Sequence, residues 1–225
     1  MLSKTVQTHN SFVVESMSLM RSVLYFEKPG PLNTVAVIDA VKGRLVLGDL
    51  NTVIVPFTTG KTAEMFSRRL KDVARVVPIS EVDTISACKR IAYSDKGPLG
   101  SLVRSRLEEV SDVERRKLRR EVFDITFLPF CGDAWAAVRE TLYAFGHGMK
   151  VAIEISVASV ETSKVKAQTK VIAVGGTEEG VDTAIVTKTA AQQEAFGKET
   201  EKRLVVQEII TMPIQKYGLT TNRPG

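Results

Sequence analysis

The feature that most constrains this chain is a continuous apolar run followed at once by an amphipathic segment. The run from Val53 to Phe57 carries no charged side chain, which is typical of a strand covered on both faces. Ala63, Phe66 and Leu70 then recur at steps of three and four residues, which predicts a helix with one buried stripe. A strand covered on both faces needs one layer above it and one below it. This strand and the helix that follows it therefore favour an α/β fold.

Further apolar runs alternate with helical periodicity along the rest of the chain. The other predicted strands are Ala74–Val77, closed by Pro78, then Phe123–Leu128, Val171–Val174, Thr183–Thr187 and Val205–Thr211. The other predicted helices cover Asn33 or Thr34 to Lys42, 101–121, Trp135–Phe145 and Met149–Glu161, with Gly146-His147-Gly148 breaking the chain between the last two. The alternation predicts one three-layer α/β/α domain with a largely parallel sheet over residues 21–217. Residues 1–20 are expected to form an extension and residues 218–225 a loose tail.

Composition excludes several classes of protein. Of the 225 residues, 44% are hydrophobic and 25% are charged, which indicates a globular protein and not a disordered one. The net charge of +5 is too mild to indicate nucleic-acid binding, and acidic residues interleave with the basic run Arg115–Arg120. No apolar run has the length of a membrane helix, and Cys88 and Cys131 lack metal-ligand spacing. We therefore expect a cytoplasmic protein without a structural metal.

The turn between the first strand and its helix is rich in hydroxyl groups. Thr58, Thr59, Gly60, Lys61 and Thr62 follow the strand directly. Ligands in parallel sheets bind beyond the carboxyl ends of strands, and a helix N-terminus favours an anion. The turn therefore predicts a phosphate site, although Thr58 or Thr59 could instead cap the helix while Lys61 points to solvent. The two glycines of a Walker loop are absent.

Five other residues, at three places in the chain, are candidates for a functional role. Gly175, Gly176 and Thr177 form a second bend after a strand, where the backbone could approach a ligand closely or simply connect two strands. His147 could face a ligand pocket or simply lie at a helix break. Glu154 lies in an apolar helix and is a candidate buried acid, or it could simply pair with a lysine or cap a backbone group. No spacing typical of a metal site, a nucleophile triad or an acid–base pair is present, so the catalytic residues, if any, stay unknown.

Several motifs together resemble a known family. The matching stretches, in chain order, are YFEKPG with NT at 25–34, PFTTGKTA at 56–63, RETLYAFGHGMKVAIEISVASVETSKV at 139–165, VIAVGGTEEGVDTAIV at 171–186 and EIITMP at 208–213. They are similar to stand-alone archaeal and bacterial proteins of unknown function that are built like the C-terminal domain of pyruvate kinase. The chain departs from that pattern after its second strand, where VPISE replaces a stretch that carries histidines in relatives.

The resemblance implies a five-stranded, mostly parallel sheet with one antiparallel strand. It implies no pyruvate kinase activity, because that chemistry belongs to a different domain. It implies flavin mononucleotide (FMN) as cofactor, with its phosphate held by Thr58–Thr62 and the rest enclosed by Gly175–Thr177. The alternative is a non-catalytic module that senses a sugar phosphate or nucleotide. Self-association into a homo-oligomer is also expected.

Overall fold

The computed structural model describes residues 18–80, 138, 140–176 and 180–216. The strands are β1 (Leu24–Phe26), β2 (Thr52–Phe57), β3 (Arg75–Ser80), β4 (Lys170–Gly175), β5 (Thr183–Lys188) and β6 (Val205–Pro213). The helices are α1 (Thr34–Leu45), α2 (Lys61–Leu70), α3 (His147–Glu161) and α4 (Gln192–Ala195), with single 3-10 turns at Pro31–Asn33 and Thr200–Lys202. None of the helices in this part of the chain has the length and apolar character that a membrane crossing requires.

The six strands form one mixed sheet in the order β1-β6-β5-β4-β2-β3. Strand β5 runs antiparallel to both of its neighbours, and the pairs β1–β6, β2–β3 and β2–β4 are parallel. The resemblance implied five strands, whereas the described sheet has six. One of the six is the short apolar run Leu24–Phe26, which adds to the edge beside β6.

Helices cover both faces of this sheet. Along β2, Val53 and Val55 pack in one cluster with α1 and α2, whereas Ile54 packs in the other with α3. Neighbouring β4 alternates in the same way, because successive side chains of a strand point to opposite faces. The α/β class and its helix–sheet–helix layering are therefore confirmed.

Five of the six predicted strands lie in this one sheet, as β2 to β6, with small differences in their bounds. The second predicted strand continues through Pro78 to Ser80, although we expected Pro78 to end it. Pro78 lies opposite Val55 of β2, its only neighbouring strand among the described residues, so the missing N–H of proline is tolerated. The predicted strand Phe123–Leu128 and the predicted helix 101–121 lie outside the described residues.

Two helix boundaries differ from those predicted. Helix α1 continues past Lys42 to Leu45, because the exposed Gly43 is tolerated in a helix at a modest cost. Helix α3 begins at His147 and not at Met149. The break before it lies at residues 144–146, and Gly146, with φ of 100°, occupies the N-cap.

A buried arginine ties α1 to the sheet at the amino-terminal ends of β2 and β4. The Arg44 guanidinium donates to both carboxylate oxygens of Glu208 at 2.6 and 2.9 Å and to both of Asp49 at 2.6 and 3.0 Å. Lys170, at the start of β4, donates to Asp49 at 2.9 Å. Since bidentate pairs are the strong form of charge-assisted hydrogen bond, this cluster fixes the C-terminal end of α1.

We predict that Arg44→Leu destabilises the fold by about 3–5 kcal/mol, because it leaves the mostly buried Glu208 carboxylate without its main partner. Urea unfolding of the variant and the parent measures the loss. Arg68→Leu is the matched control, since Arg68 pairs with Glu64 on the surface and its removal should cost less than about 1 kcal/mol. Equal losses in the two variants would show that the buried cluster contributes no more than a surface pair.

The same cluster predicts an acid-sensitive fold. The hydrogen bond from Arg44 holds the pKa of Glu208 below its ordinary value of 4.5, and Arg44 likewise lowers the pKa of Asp49. A lowered folded-state pKa stabilises the fold above the ordinary carboxyl pKa, and the contribution is lost as pH falls through the folded value. Urea unfolding at about pH 6 and about pH 3 should therefore show a smaller acid loss for Glu208→Gln than for the parent. Identical acid losses would contradict this.

Candidate functional site

Three helices begin at the same edge of the sheet, beyond the carboxyl ends of β2 and β4. Helix α2 follows β2 after a three-residue turn. The first residue of α1, Thr34, accepts a hydrogen bond from the Val181 N–H at 3.1 Å, where the chain returns from β4 to β5. The first turn of α3 packs on Gly175, the last residue of β4. Because a helix N-terminus carries partial positive charge, this edge favours anions.

The threonine-rich turn lies at that edge and leads into α2. Thr58 and Thr59 are exposed, and Gly60 is the N-cap with φ of 86°. Lys61 and Thr62 belong to the first turn of the helix and not to the bend itself. Neither threonine that we considered as the cap is therefore the N-cap residue.

The carboxylate of Asp182 lies at this edge of the sheet. Its buried carboxylate accepts hydrogen bonds from the Gly30 N–H at 3.0 Å and from the Thr183 hydroxyl at 2.8 Å. Gly30 is the N-cap of the 3-10 turn that leads into α1, and one Asp182 oxygen lies beside Gly148 in the first turn of α3. One carboxylate therefore lies at the positive ends of both helices.

Gly175 and Gly176 are packed against other parts of the backbone. A Cβ on Gly175 would lie 2.8 Å from the Ala152 nitrogen and closer still to the Gly148 carbonyl oxygen. A Cβ on Gly176 would lie 2.7 Å from the Cα of Val181. This packing accounts for both glycines without a ligand, so their contact with one stays a prediction. Thr177 lies outside the described residues.

His147 is the first residue of α3 and therefore lies at the same edge. Its ring stacks on Tyr143, with the ring centroids 5.7 Å apart. The Lys150 ammonium lies 5.6 Å from the centroid of the same tyrosine. Stacking on Tyr143 holds the imidazole of His147 at the start of the helix.

The buried acid predicted at Glu154 is paired with a lysine one helical turn away. The Lys150 ammonium lies 3.1 Å from the Glu154 carboxylate, and both side chains are fully buried. Two buried charges are tolerated only as partners, so the pair follows from the burial of α3 on all sides. The alternative that Glu154 pairs with a lysine is the one observed.

Two residues at this edge were not predicted from the sequence. Lys216 follows β6, and its side chain packs beside Gly146, with its ammonium donating to the Pro213 carbonyl at 2.7 Å. Burial lowers the pKa of Lys216 below its ordinary value, and the charge of Asp182 partly offsets this. Phe57, the last residue of β2, keeps 42% of its surface exposed next to the turn. The only sequence signals for these residues were a lysine shortly after a strand and an aromatic side chain at the end of a strand.

Comparison with known proteins adds no family assignment, because no family model matches the chain. The resemblance to the C-terminal domain of pyruvate kinase therefore stays a prediction. Within the described residues, no three His, Cys, Asp or Glu side chains lie close enough together to hold a metal ion.

We predict that Gly175→Ala destabilises the protein by about 1–3 kcal/mol or more, because the added Cβ overlaps the backbone of α3. Thermal or urea unfolding provides the measurement. Gly43→Ala is the control: nothing lies within 4 Å of its added Cβ, and alanine should stabilise α1 by about 0.5–1 kcal/mol. If Gly175→Ala were as stable as the parent, α3 would not be locked against β4 at this position.

Proposed function

We propose that the protein binds a phosphorylated small molecule, FMN, with the phosphate at the Thr58–Thr62 turn. The observation that carries the proposal is the structure of the turn at the carboxyl end of β2. The N-cap of α2 is a glycine with positive φ, and exposed threonine hydroxyls precede it. Such a turn brings backbone N–H groups, hydroxyls and the helix dipole to one point, which is the chemistry that binds phosphate.

The position of Lys61 supports an anionic ligand. Lys61 is the exposed first residue of α2, where a positive charge opposes the helix dipole. The other charges of α2 follow the dipole, with Glu64 in the first turn and Arg68 and Arg69 in the last. At this position the lysine would add its charge to the positive end of the helix dipole when an anion binds.

Asp182 supports the choice of this turn over the β4–β5 connection. The carboxylate already lies at the N-terminal ends of α1 and α3, so a phosphate there would meet a like charge. Helix α2 is the remaining helix that begins at this edge in the described part of the chain. The phosphate is therefore proposed at α2, with His147 and the glycines of β4 on the neighbouring part of the same edge.

The choice of FMN rests on the family resemblance of the loops. In that assignment the phosphate lies at Thr58–Thr62 and the remainder of the cofactor extends toward Gly175 and Gly176. The alternative ligand, a sugar phosphate or nucleotide sensed without catalysis, would use the same turn. The proposal therefore concerns binding and assigns no reaction.

The proposal predicts that Lys61→Ala weakens FMN binding tenfold to a hundredfold, about 1.5–3 kcal/mol for a lost charge-assisted hydrogen bond. Isothermal titration calorimetry with FMN, riboflavin and a sugar bisphosphate makes the measurement. Lys71→Ala is the matched control, because Lys71 is an exposed lysine at the opposite end of α2. Gly60→Val should abolish binding, since the added side chain crowds the turn and valine strongly disfavours a φ of 86°.

Two results would count against a phosphate site. Riboflavin could bind as tightly as FMN, which would mean that the phosphate contributes nothing. Lys61→Ala and Lys71→Ala could also have equal effects, which would mean that only the overall charge of the protein matters. In either case the turn would be no more than the start of a helix.

A further inference from the structure

The last residue of β2 is an exposed phenylalanine that contacts the proposed phosphate turn. Phe57 shares a face of β2 with Val53 and Val55, which is the face that α2 covers. Val53 and Val55 are fully buried, whereas Phe57 keeps 42% of its surface exposed. The strand therefore ends by presenting an aromatic ring at the carboxyl edge of the sheet.

The ring lies directly beside the N-cap of α2. Its Cζ and Cε2 atoms are 3.2 and 3.3 Å from the point that a Cβ on Gly60 would occupy. The absence of a side chain on Gly60 thus lets the end of the ring pack over the turn. Lys61, the first residue of α2, follows Gly60 directly, so an anion bound at this helix end would have Phe57 as a near neighbour.

We propose that Phe57 selects phosphate esters that carry a planar aromatic ring, the class that includes flavin and nucleotide phosphates, over phosphorylated sugars. This inference rests on the proposed function, since it places the phosphate of the ligand at the Thr58–Thr62 turn. Aromatic side chains stack on planar heterocycles with little dependence on their identity, because each such ring offers a π-face. A sugar phosphate held at the same turn has no such face to place against Phe57.

The test compares ligands with and without an aromatic ring on matched variants. Calorimetry measures the affinities of FMN, AMP and ribose 5-phosphate for the parent, Phe57→Leu, Phe57→Tyr and Phe196→Leu. Leucine keeps an apolar side chain but removes the ring, and tyrosine keeps the ring. Phe196 is 40% exposed and follows α4 beyond the end of the antiparallel β5, at the opposite end of the sheet, so it controls for the loss of an exposed phenylalanine.

The expected result is a selective loss of affinity. Phe57→Leu should lower the affinities for FMN and AMP on the order of tenfold, because one stacked ring is removed. The affinity of Phe57→Leu for ribose 5-phosphate should equal that of the parent. Phe57→Tyr and Phe196→Leu should bind all three ligands with the affinities of the parent. The aromatic protons of FMN should also shift upfield in proton NMR on binding to the parent and less on binding to Phe57→Leu.

Other outcomes separate the inference from the proposed function when Lys61→Ala is titrated alongside. If Lys61→Ala weakens every phosphate but the parent binds ribose 5-phosphate as tightly as FMN, the phosphate turn stands and the role of Phe57 is overturned. If Phe57→Leu weakens all three ligands alike, selection by the ring is likewise overturned. If Phe57→Leu weakens FMN while Lys61→Ala changes nothing, the ring contact is supported and the phosphate turn is overturned. Binding of none of the ligands by the parent overturns both.

Discussion

The close approach of α3 to β4 is the contact on which the arrangement of the candidate site depends. Gly175 and Gly148 meet where neither has a side chain, and a Cβ on Gly148 would overlap Asp182 and Thr183. The contact brings the first turn of α3 to the carboxyl ends of the parallel strands. Every residue of α3 from Gly148 to Ser159 is buried, including two charged ones. Lys150 and Glu154 must then neutralise each other inside the helix, because an unpaired charge there would be far too costly.

The layers could be predicted from the sequence because their signals are local. A strand covered on both faces needs an apolar run, as at Val53–Phe57, and the alternation of its side chains between two clusters follows from strand geometry. The prediction that Pro78 ends its strand was wrong, because a proline is tolerated in a strand that, among the described residues, has one neighbouring strand. The start of α3 was predicted two residues too late at Gly146-His147-Gly148. In the sequence, a glycine N-cap and a glycine in the first helical turn resemble one continuous break.

The role of Asp182 could not be predicted, because its partners are distant in sequence. Asp182 accepts a hydrogen bond from the N–H of Gly30, which is 152 positions away in the sequence. The approach of Asp182 to α3 depends on packing at Gly148. The turn after β2 is the opposite case. Its glycine, hydroxyls and lysine are consecutive, so their meeting at one strand end follows from the order of the chain alone. Features of this sheet edge that form locally could be predicted from the sequence, and those assembled by tertiary contacts could not.

The helix N-termini at this sheet edge differ in the charged groups that lie beside them. For α1 and α3 the fold supplies its own anion, a buried carboxylate from the start of β5, and glycines make room for it. For α2 the N-cap has no side chain, and the next residue is a lysine, which adds positive charge to a positive helix end. Under the proposed function, this third helix end takes its anion from solution. An anion bound there would have the exposed ring of Phe57 as a neighbour.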